Sequence, residues 1–421
     1  MNKIEISRQD AVQIILNSQL LNSKAKPAKG KKELVQIINQ LGYIQIDTIS
    51  VINRAHHHIL WTRNGNYSEK HLHDLQAKDR LIFEYWTHAM SFIPMADYRY
   101  SIPKMLNFKK PKSRWLKYRF SQSKKYLVPV LERIKNEGPL SSSDFENDTG
   151  KKGGTWWEWK PTKTALEYLF WQGDLMVSER KGFQKFYDLK ERVLPQNIIT
   201  TYPTKDELSK FFIKKALTAL GIASEREIQK FMQPGKSDVS DLQIVKRETM
   251  KKVIDDLHES GEIISLFIED DHKTLNYALP ENLNNINKKK FTSPHINLLS
   301  PFDNLIIQRE RVKRLFNFDY AIECYLPAPK RKYGYFVLPI LWKNRFIGRL
   351  DPKADRQNKI LIINNLVFED NFKECDELLP LLSEKFLSFA EFNSCEKVRI
   401  KKCIPGFVKR LIEHEIKLRI I

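Results

Sequence analysis

Apolar and polar positions along the chain follow a pattern that recurs three times in order, the signature of a repeated structural unit. The middle version begins at Gly138-Pro-Leu-Ser-Ser-Ser-Asp144 and passes through a lysine- and tryptophan-rich loop. It continues as Lys163-Thr-Ala-Leu-Glu-Tyr-Leu-Phe-Trp-Gln172 and then Gly173-Asp-Leu-Met-Val-Ser-Glu-Arg-Lys-Gly-Phe-Gln-Lys-Phe-Tyr187. The last version opens at Gly221-Ile-Ala-Ser-Glu-Arg-Glu-Ile228 and runs through Met250-Lys-Lys-Val-Ile-Asp-Asp-Leu-His-Glu259 to Gly261-Glu-Ile-Ile-Ser-Leu-Phe-Ile268. Ser224 with Glu227 three residues on is a capping box. Val253, Ile254 and Leu257 fall at helical spacing, and Gly173 and Gly261 stand where a helix end needs positive φ. Two short apolar strands follow each glycine, with turns at Lys181-Gly182 and Asp270-Asp271.

Helix, turn, helix and β-hairpin together predict a winged helix-turn-helix, a unit that commonly enters a DNA groove. The first version is fainter. Lys32-Glu-Leu-Val-Gln-Ile-Ile-Asn-Gln-Leu41 reads as its helix, closed by Gly42, and Tyr43-Ile-Gln-Ile-Asp47 takes the place of the first wing strand. The expected units are residues 1–118, 119–203 and 204–285. A Lys/Asn-rich linker (Asn282-Leu-Asn-Asn-Ile-Asn-Lys-Lys-Lys290) ends the repeats. Tyr333–Leu341, Arg345–Leu350 and Lys359–Ile363 then read as strands and Leu378–Phe386 as a helix, so residues 291–421 form an α+β module and the fold class is α+β.

Composition adds a partner. The 421 residues hold 71 Lys+Arg against 51 Asp+Glu, a formal charge of +20. Such a charge concentrates polyanions, and nucleic acid is the usual one. Genomic bias toward AT can inflate Lys, but Glu normally rises with it, and here it does not. With 42% hydrophobic and 11% aromatic residues the chain can build packed cores. Cys324, Cys375, Cys395 and Cys403 lie far apart with no C-x-x-C pair, against a zinc ribbon or a disulfide framework. No apolar run follows the first basic residue, and none nears the roughly 20 residues of a membrane span. The expected location is the cytoplasm.

Candidate chemistry centres on Gln45 and Asp47. On a strand, alternate side chains share a face, so Tyr43, Gln45 and Asp47 are expected opposite the core-facing isoleucines. A carboxamide and a carboxylate about 7 Å apart along a strand can hold one water between them. The same residues also suit an ordinary amphipathic strand with Asp47 capping the next helix, and the spacing does not choose. His56-His57-His58 invites a metal, but adjacent helical residues point about 100° apart, so no metal is expected; one of them, His56, is read as facing a DNA phosphate. Trp86 and His88, two apart, line the DNA channel or pack in the core. Asp351-Pro-Lys-Ala-Asp-Arg356 resembles part of a nuclease signature without its second acidic ligand; Lys353 and Arg356 are read as phosphate contacts or a charge-paired turn. The basic loops Lys330-Arg331-Lys332 and Lys151-Lys152-Gly-Gly-Thr-Trp-Trp157 are read as phosphate-binding, or as simply solvated.

Leu41-Gly-Tyr-Ile-Gln-Ile-Asp-Thr-Ile49, followed by Arg54-Ala-His56 and Leu60-Trp61, resembles the winged-helix DNA glycosylases of the AlkZ/YcaQ kind, which unhook interstrand crosslinks. So do Phe83-Glu-Tyr-Trp-Thr-His88, Gly173-Asp-Leu with Tyr187-Asp-Leu-Lys-Glu-Arg192, Ser300-Pro-Phe-Asp303 with Arg309 and Arg311, Pro327-Ala-Pro-Lys-Arg-Lys-Tyr-Gly334, and Gly348-Arg-Leu-Asp-Pro-Lys-Ala-Asp-Arg356, which together span most of the chain. The resemblance implies a C-shaped array of three winged helices with a Q-x-Q or Q-x-D pair in its concave channel. Asp47 places the chain with the Q-x-D, YcaQ-type branch, and with general N7-alkylpurine and crosslink repair rather than resistance to one toxin. It implies a cofactor-free, monofunctional glycosylase with Gln45 and Asp47 as catalytic residues, and Arg54, His56, Trp86 and His88 along the DNA. The partner is double-stranded DNA bearing alkylated or crosslinked purines, met by a monomer at a bacterial nucleoid. The competing class is a non-catalytic winged-helix transcriptional regulator, which would bind one intact sequence and leave alkylated DNA uncut.

Overall fold

The computed structural model describes residues 4–22, 30–145, 161–233, 244–283, 295–370 and 375–420. A short strand β1 (Ile4–Ile6) leads into helix α1 (Arg8–Ser18), whose N-terminus is capped by the Ser7 hydroxyl accepting from the Asp10 amide. The first repeat then runs α2 (Lys31–Leu41), β2 (Ile44–Gln45), α3 (Ala55–Arg63), α4 (Glu69–Ala77), β3 (Ile82–Trp86) and β4 (Met90–Pro94). After α5 (Ile102–Lys109), the second comprises α6 (Arg114–Glu137), β5 (Leu140–Ser141), α7 (Pro161–Trp171), β6 (Leu175–Lys181) and β7 (Gln184–Leu189), closed by a turn of helix α8 (Lys190–Val193). The third comprises α9 (Lys205–Leu220), β8 (Ile222–Ser224), α10 (Glu225–Lys230), α11 (Arg247–Glu259), β9 (Ile264–Ile268) and β10 (Asp271–Ala278), with α12 (Pro280–Leu283) after it.

Each repeat places its hairpin next to the short strand in the same order: β2-β4-β3, β5-β7-β6 and β8-β10-β9. The capping box at α10 forms through Ser224 and Glu227. Two differences from the sequence reading concern the first repeat. Tyr43–Asp47 does not belong to the hairpin. Only Ile44 and Gln45 are strand, antiparallel to β4, and the hairpin is β3–β4 with its turn at Thr87–Ala89. The glycine signal misled because Gly42 matches Gly138 and Gly221, which end the first helix of their repeats. Where Gly173 and Gly261 precede the hairpins, the first repeat has Arg80 at φ 53°, a conformation for which a non-glycine residue gives no sequence cue. The second difference is that β1 pairs in parallel with β9, so the N-terminal strand joins the third sheet rather than the first unit.

The C-terminal module is built on a sheet of order β11-β12-β13-β14-β15, from β11 (Ile296–Leu298), β12 (Leu338–Trp342), β13 (Arg345–Asp355), β14 (Ile360–Phe368) and β15 (Lys397–Ile400). Helix α13 (Arg309–Phe316) lies between β11 and β12; α14 (Cys375–Phe392) links the parallel β14 and β15, and β16 (Cys403–Ile404), which also pairs with β14, precedes α15 (Gly406–Ile420). This sheet shares one apolar core with the first repeat, where Leu34, Ile38, Ile44 and Ile59 meet Leu338, Leu361 and Phe386. Residues 333–337 are not strand; the amides of Tyr333, Gly334, Tyr335 and Phe336 are held by carboxylates of Glu323 and Asp351. Asp351 and Lys353 lie within β13, and buried Asp351 accepts from the Tyr335 and Phe336 amides at 3.0 and 2.9 Å. That explains the carboxylate without nuclease chemistry. No helix among the described residues is long and apolar enough to cross a membrane.

Candidate active site

Residues 43–47 run between two apolar layers. Tyr43 enters the core shared with the second and third repeats, whereas Ile44 and Ile46 enter the one shared with the C-terminal sheet. Both faces of the strand are therefore covered, and Gln45 is only 7% exposed. The Asn304 side chain fixes the approach by donating to the Leu41 and Tyr43 carbonyls, 3.1 Å each. Asp303 beside it takes the Arg63 guanidinium in a two-pronged, fully buried ion pair at 2.7 and 2.9 Å.

The hairpin turn brings His88 over Gln45, with His88 Nε2 3.0 Å from Gln45 Oε1. Burial, and then the nearby Lys104 and Arg309, push the imidazole down to about 4. The ring is neutral near pH 7, and with Oε1 as acceptor its proton sits on Nε2. The Gln45 carboxamide is thus held by its oxygen, and its nitrogen makes no hydrogen bond within the described residues. Tyr43 braces the other side of the imidazole, edge-on at 5.1 Å between centroids. Lys104, which sequence reasoning did not single out, supports the turn from below: its ammonium donates to the Trp86 and Thr87 carbonyls at 2.8 and 3.2 Å. Its burial lowers it to about 7.

Asp47 is partly exposed at the end of this strand and accepts from the Ile49 amide at 2.7 Å. It does not cap the next helix, since α3 begins after Arg54. Burial raises its carboxyl above the usual range, opposed by amides of Ile49 and Thr48 and by Arg54. The loop after it is pinned from the C-terminal module. The Ala354 amide donates to the Val51 carbonyl (2.8 Å), the Asn53 amide donates to Asn393 Oδ1 (2.7 Å), and Asn53 Nδ2 donates to the Phe392 carbonyl (2.5 Å). Arg356 joins this clamp, donating to the Ser50 carbonyl and Asn53 Oδ1 at 3.2 and 3.3 Å.

The other candidates divide. Arg54 stands over the Phe183 ring at 4.2 Å, within the field of Asp47. His56 does not face a phosphate: it is 3% exposed, 4.1 Å from the His57 ring and stacked toward Phe183. The physical reason is that α3 is covered on most sides, which also buries His58. Trp86 lines a cavity of about 420 Å³ with Ile46, Thr48 and Phe183, on one side of the strand. His88 and Tyr43 reach a second cavity of about 570 Å³, on whose rim Arg309 lies. Arg309 has no hydrogen bond or ion pair among the described residues, leaving one unneutralised guanidinium near His88. Lys330, Lys332, Lys353 and Arg356 are exposed, Arg331 half-buried. Lys151 and Lys152 lie outside the described residues.

The family model described as DNA glycosylase AlkZ-like matches residues 38–384. Among solved structures, the DNA glycosylase AlkZ of Streptomyces sahachiroi matches with a TM-score of 0.63 at 13% identity, over 95% of this chain and 100% of that one, a likeness of fold.

Proposed function

The chain belongs to the AlkZ-like DNA glycosylase family, and from that premise we propose that it hydrolyses the N-glycosidic bond of N7-alkylated purines, interstrand crosslinks included. The observation that carries this reading is the pairing of an oriented carboxamide with a partly desolvated carboxylate at one strand end. Alkylation at N7 makes the base cationic and a good leaving group, so the enzyme need not supply a strong acid. What remains is to stabilise positive charge developing on the sugar and to deliver water to C1′. Ionised Asp47 does both, as counter-charge to an oxocarbenium-like state and as proton acceptor from the water. Gln45, its oxygen occupied by His88, presents its amide nitrogen to orient the water or the sugar.

The Q-x-D pair supports placing the chain in the YcaQ-type branch, with general alkylation damage as its substrate. The three repeats act as winged helices in a C-shaped array around duplex DNA, with Arg54, Lys330, Arg331, Lys332 and Lys353 meeting phosphates. The protein works as a monomer and is monofunctional, with water rather than a lysine as the nucleophile. A crosslinked base cannot easily leave the duplex, so the reaction proceeds without full base flipping. Incubation with duplex carrying 7-methylguanine, followed by alkali, tests this. Strand cleavage after alkali but not before it is expected; no cleavage, with tight binding to one intact sequence, would instead identify a regulator.

A further inference from the structure

The larger cavity beside the site, about 570 Å³, opens where helix α10 of the third repeat meets the first turn of α13. Two side chains tie it to the reacting strand. Tyr43 and His88 line it, and Tyr43 packs edge-on against the His88 ring at 5.1 Å. His88 Nε2 in turn stands 3.0 Å from Gln45 Oε1, so one imidazole separates the cavity from the carboxamide. The volume falls within the range of ligand pockets, roughly 300–1,000 Å³.

Charge decides what fits there. Arg226, Lys230, Arg309, Arg311 and Arg314 line the cavity against the carboxylates of Glu227 and Glu310, five cations to two anions. Both carboxylates are already taken. Glu310 holds Arg226 and Lys230 at 3.0 and 3.2 Å. Glu227 takes Arg314 at 2.8 Å and faces Arg311 at 3.6 Å. Arg311 also donates to the Leu220 and Ile222 carbonyls, and Arg314 to Asp271. Of the five, Arg309 is left without an acceptor among the described residues, although its Nε is shut away from solvent. An arginine at a surface is ordinarily a solvated arm. A buried Nε means instead that the stem is packed and the head held in place. A pre-placed guanidinium with no acceptor suits a two-pronged bond to phosphate. The same excess of cations opposes entry of the alkylated base, which carries a positive charge of its own.

We propose that this cavity holds one of the two backbone phosphates flanking the lesion, with Arg309 as its clamp, and that the contact sets the sugar against Gln45. It rests on reading Gln45–Asp47 as a site acting on duplex DNA. Phosphate and C1′ belong to one nucleotide, so fixing the first restricts the second. Arg309 then acts on the rate through placement of the sugar, without touching the bond that breaks.

The test uses the full chain and 7-methylguanine duplexes in which the phosphate on the 5′ or the 3′ side of the lesion is a neutral methylphosphonate. A 2′-fluorine blocks excision where binding is measured. Wild type is expected to lose about tenfold in affinity at one of the two positions, the worth of one charge-assisted contact. Arg309→Ala should bind the ordinary duplex about tenfold more weakly and be indifferent to neutralisation at that position, the two losses failing to add. Its slope of log affinity against log salt should be shallower by about 0.9, one phosphate's share. Arg309→Lys, which keeps the charge without the fork, should fall between alanine and wild type. On cleavable duplex, Arg309→Ala should also lower the single-turnover rate at saturating enzyme, because a misplaced sugar slows excision even when bound. Equal sensitivity of wild type and Arg309→Ala to neutralisation at both positions would overturn the clamp. Absence of 7-methylguanine release by wild type would instead overturn the glycosidic reading, with the binding comparison still standing, so the two failures are separable.

Discussion

Replacing Asp47 with asparagine isolates charge from shape. The carboxylate oxygen that accepts the Ile49 amide at 2.7 Å has a counterpart in the asparagine carbonyl. The turn therefore survives, and stability should change by no more than about 1 kcal/mol. What disappears is the negative charge that the proposal sets against the sugar and the acceptor it assigns to the water proton. Positioned bases contribute about 10² to 10⁴ in rate, and fixed counter-charges about 10² to 10³. The two roles share one group, so their effects do not multiply, and a loss of about 10³-fold, or ~4 kcal/mol of barrier, is expected. Single-turnover release of 7-methylguanine, corrected for spontaneous depurination, gives the number; equilibrium binding in parallel should be unchanged or tighter, because a negative charge beside phosphates has gone. The pH profile offers a second reading. The folded carboxyl is raised above its ordinary 3.8, and the proposed role needs the ionised form. Wild-type rate should be full above that raised value and fall as pH drops through it, and the variant should be flat. Release by Asp47→Asn within a few-fold of wild type would refute the assignment.

Three further outcomes follow from the same geometry. His88→Leu removes the partner 3.0 Å from the Gln45 amide oxygen, and should cost about tenfold in single-turnover rate, the equivalent of one hydrogen bond, with DNA affinity retained; His88→Gln should recover part of it, and equal rates for wild type and leucine would contradict the positioning role. Lys104 is lowered from 10.5 to about 7 in the folded chain, so the unfolded state holds more protons between those values and stability should rise with pH across that window; urea titrations of Lys104→Met should lack this rise, and an identical pH dependence would refute it. Asp303→Asn leaves Arg63 charged and buried, an error worth about 3–5 kcal/mol; a loss under about 1 kcal/mol by denaturant titration would show the pair to be dispensable.

Local signals carried the second and third repeats. Gly173, Gly261 and the Ser224–Glu227 box mark helix ends through backbone chemistry that needs no distant partner. In the first repeat the matching position is Arg80, and without its glycine the hairpin at Ile82–Pro94 left no mark. Period-two alternation likewise placed Gln45 and Asp47 together but gave Tyr43 an open face, because a pattern does not reveal that a second core will cover it. His88 was already a candidate, but its bond to Gln45 spans 43 residues and Asn53 is held from 340 residues away; such pairings have no periodicity to read. Lys104 looked like any other of 71 basic residues, and only tertiary burial separates it from them.

The clamp on residues 50–53 has a bearing on synthesis as well as on geometry. A ribosome that has released only the three repeats has already delivered Gln45, Asp47 and His88, but not Ala354, Arg356 or Asn393. Until the last strands emerge, the segment following Asp47 lacks the bonds that fix it. A chain truncated before the C-terminal module would also lack the apolar partners of Ile44 and Ile46, which lie in the core shared with that sheet. Order of emergence thus sets when the site can form: the strand bearing Gln45 and the loop after Asp47 gain their covered face and their fixing bonds only with the last elements of the chain.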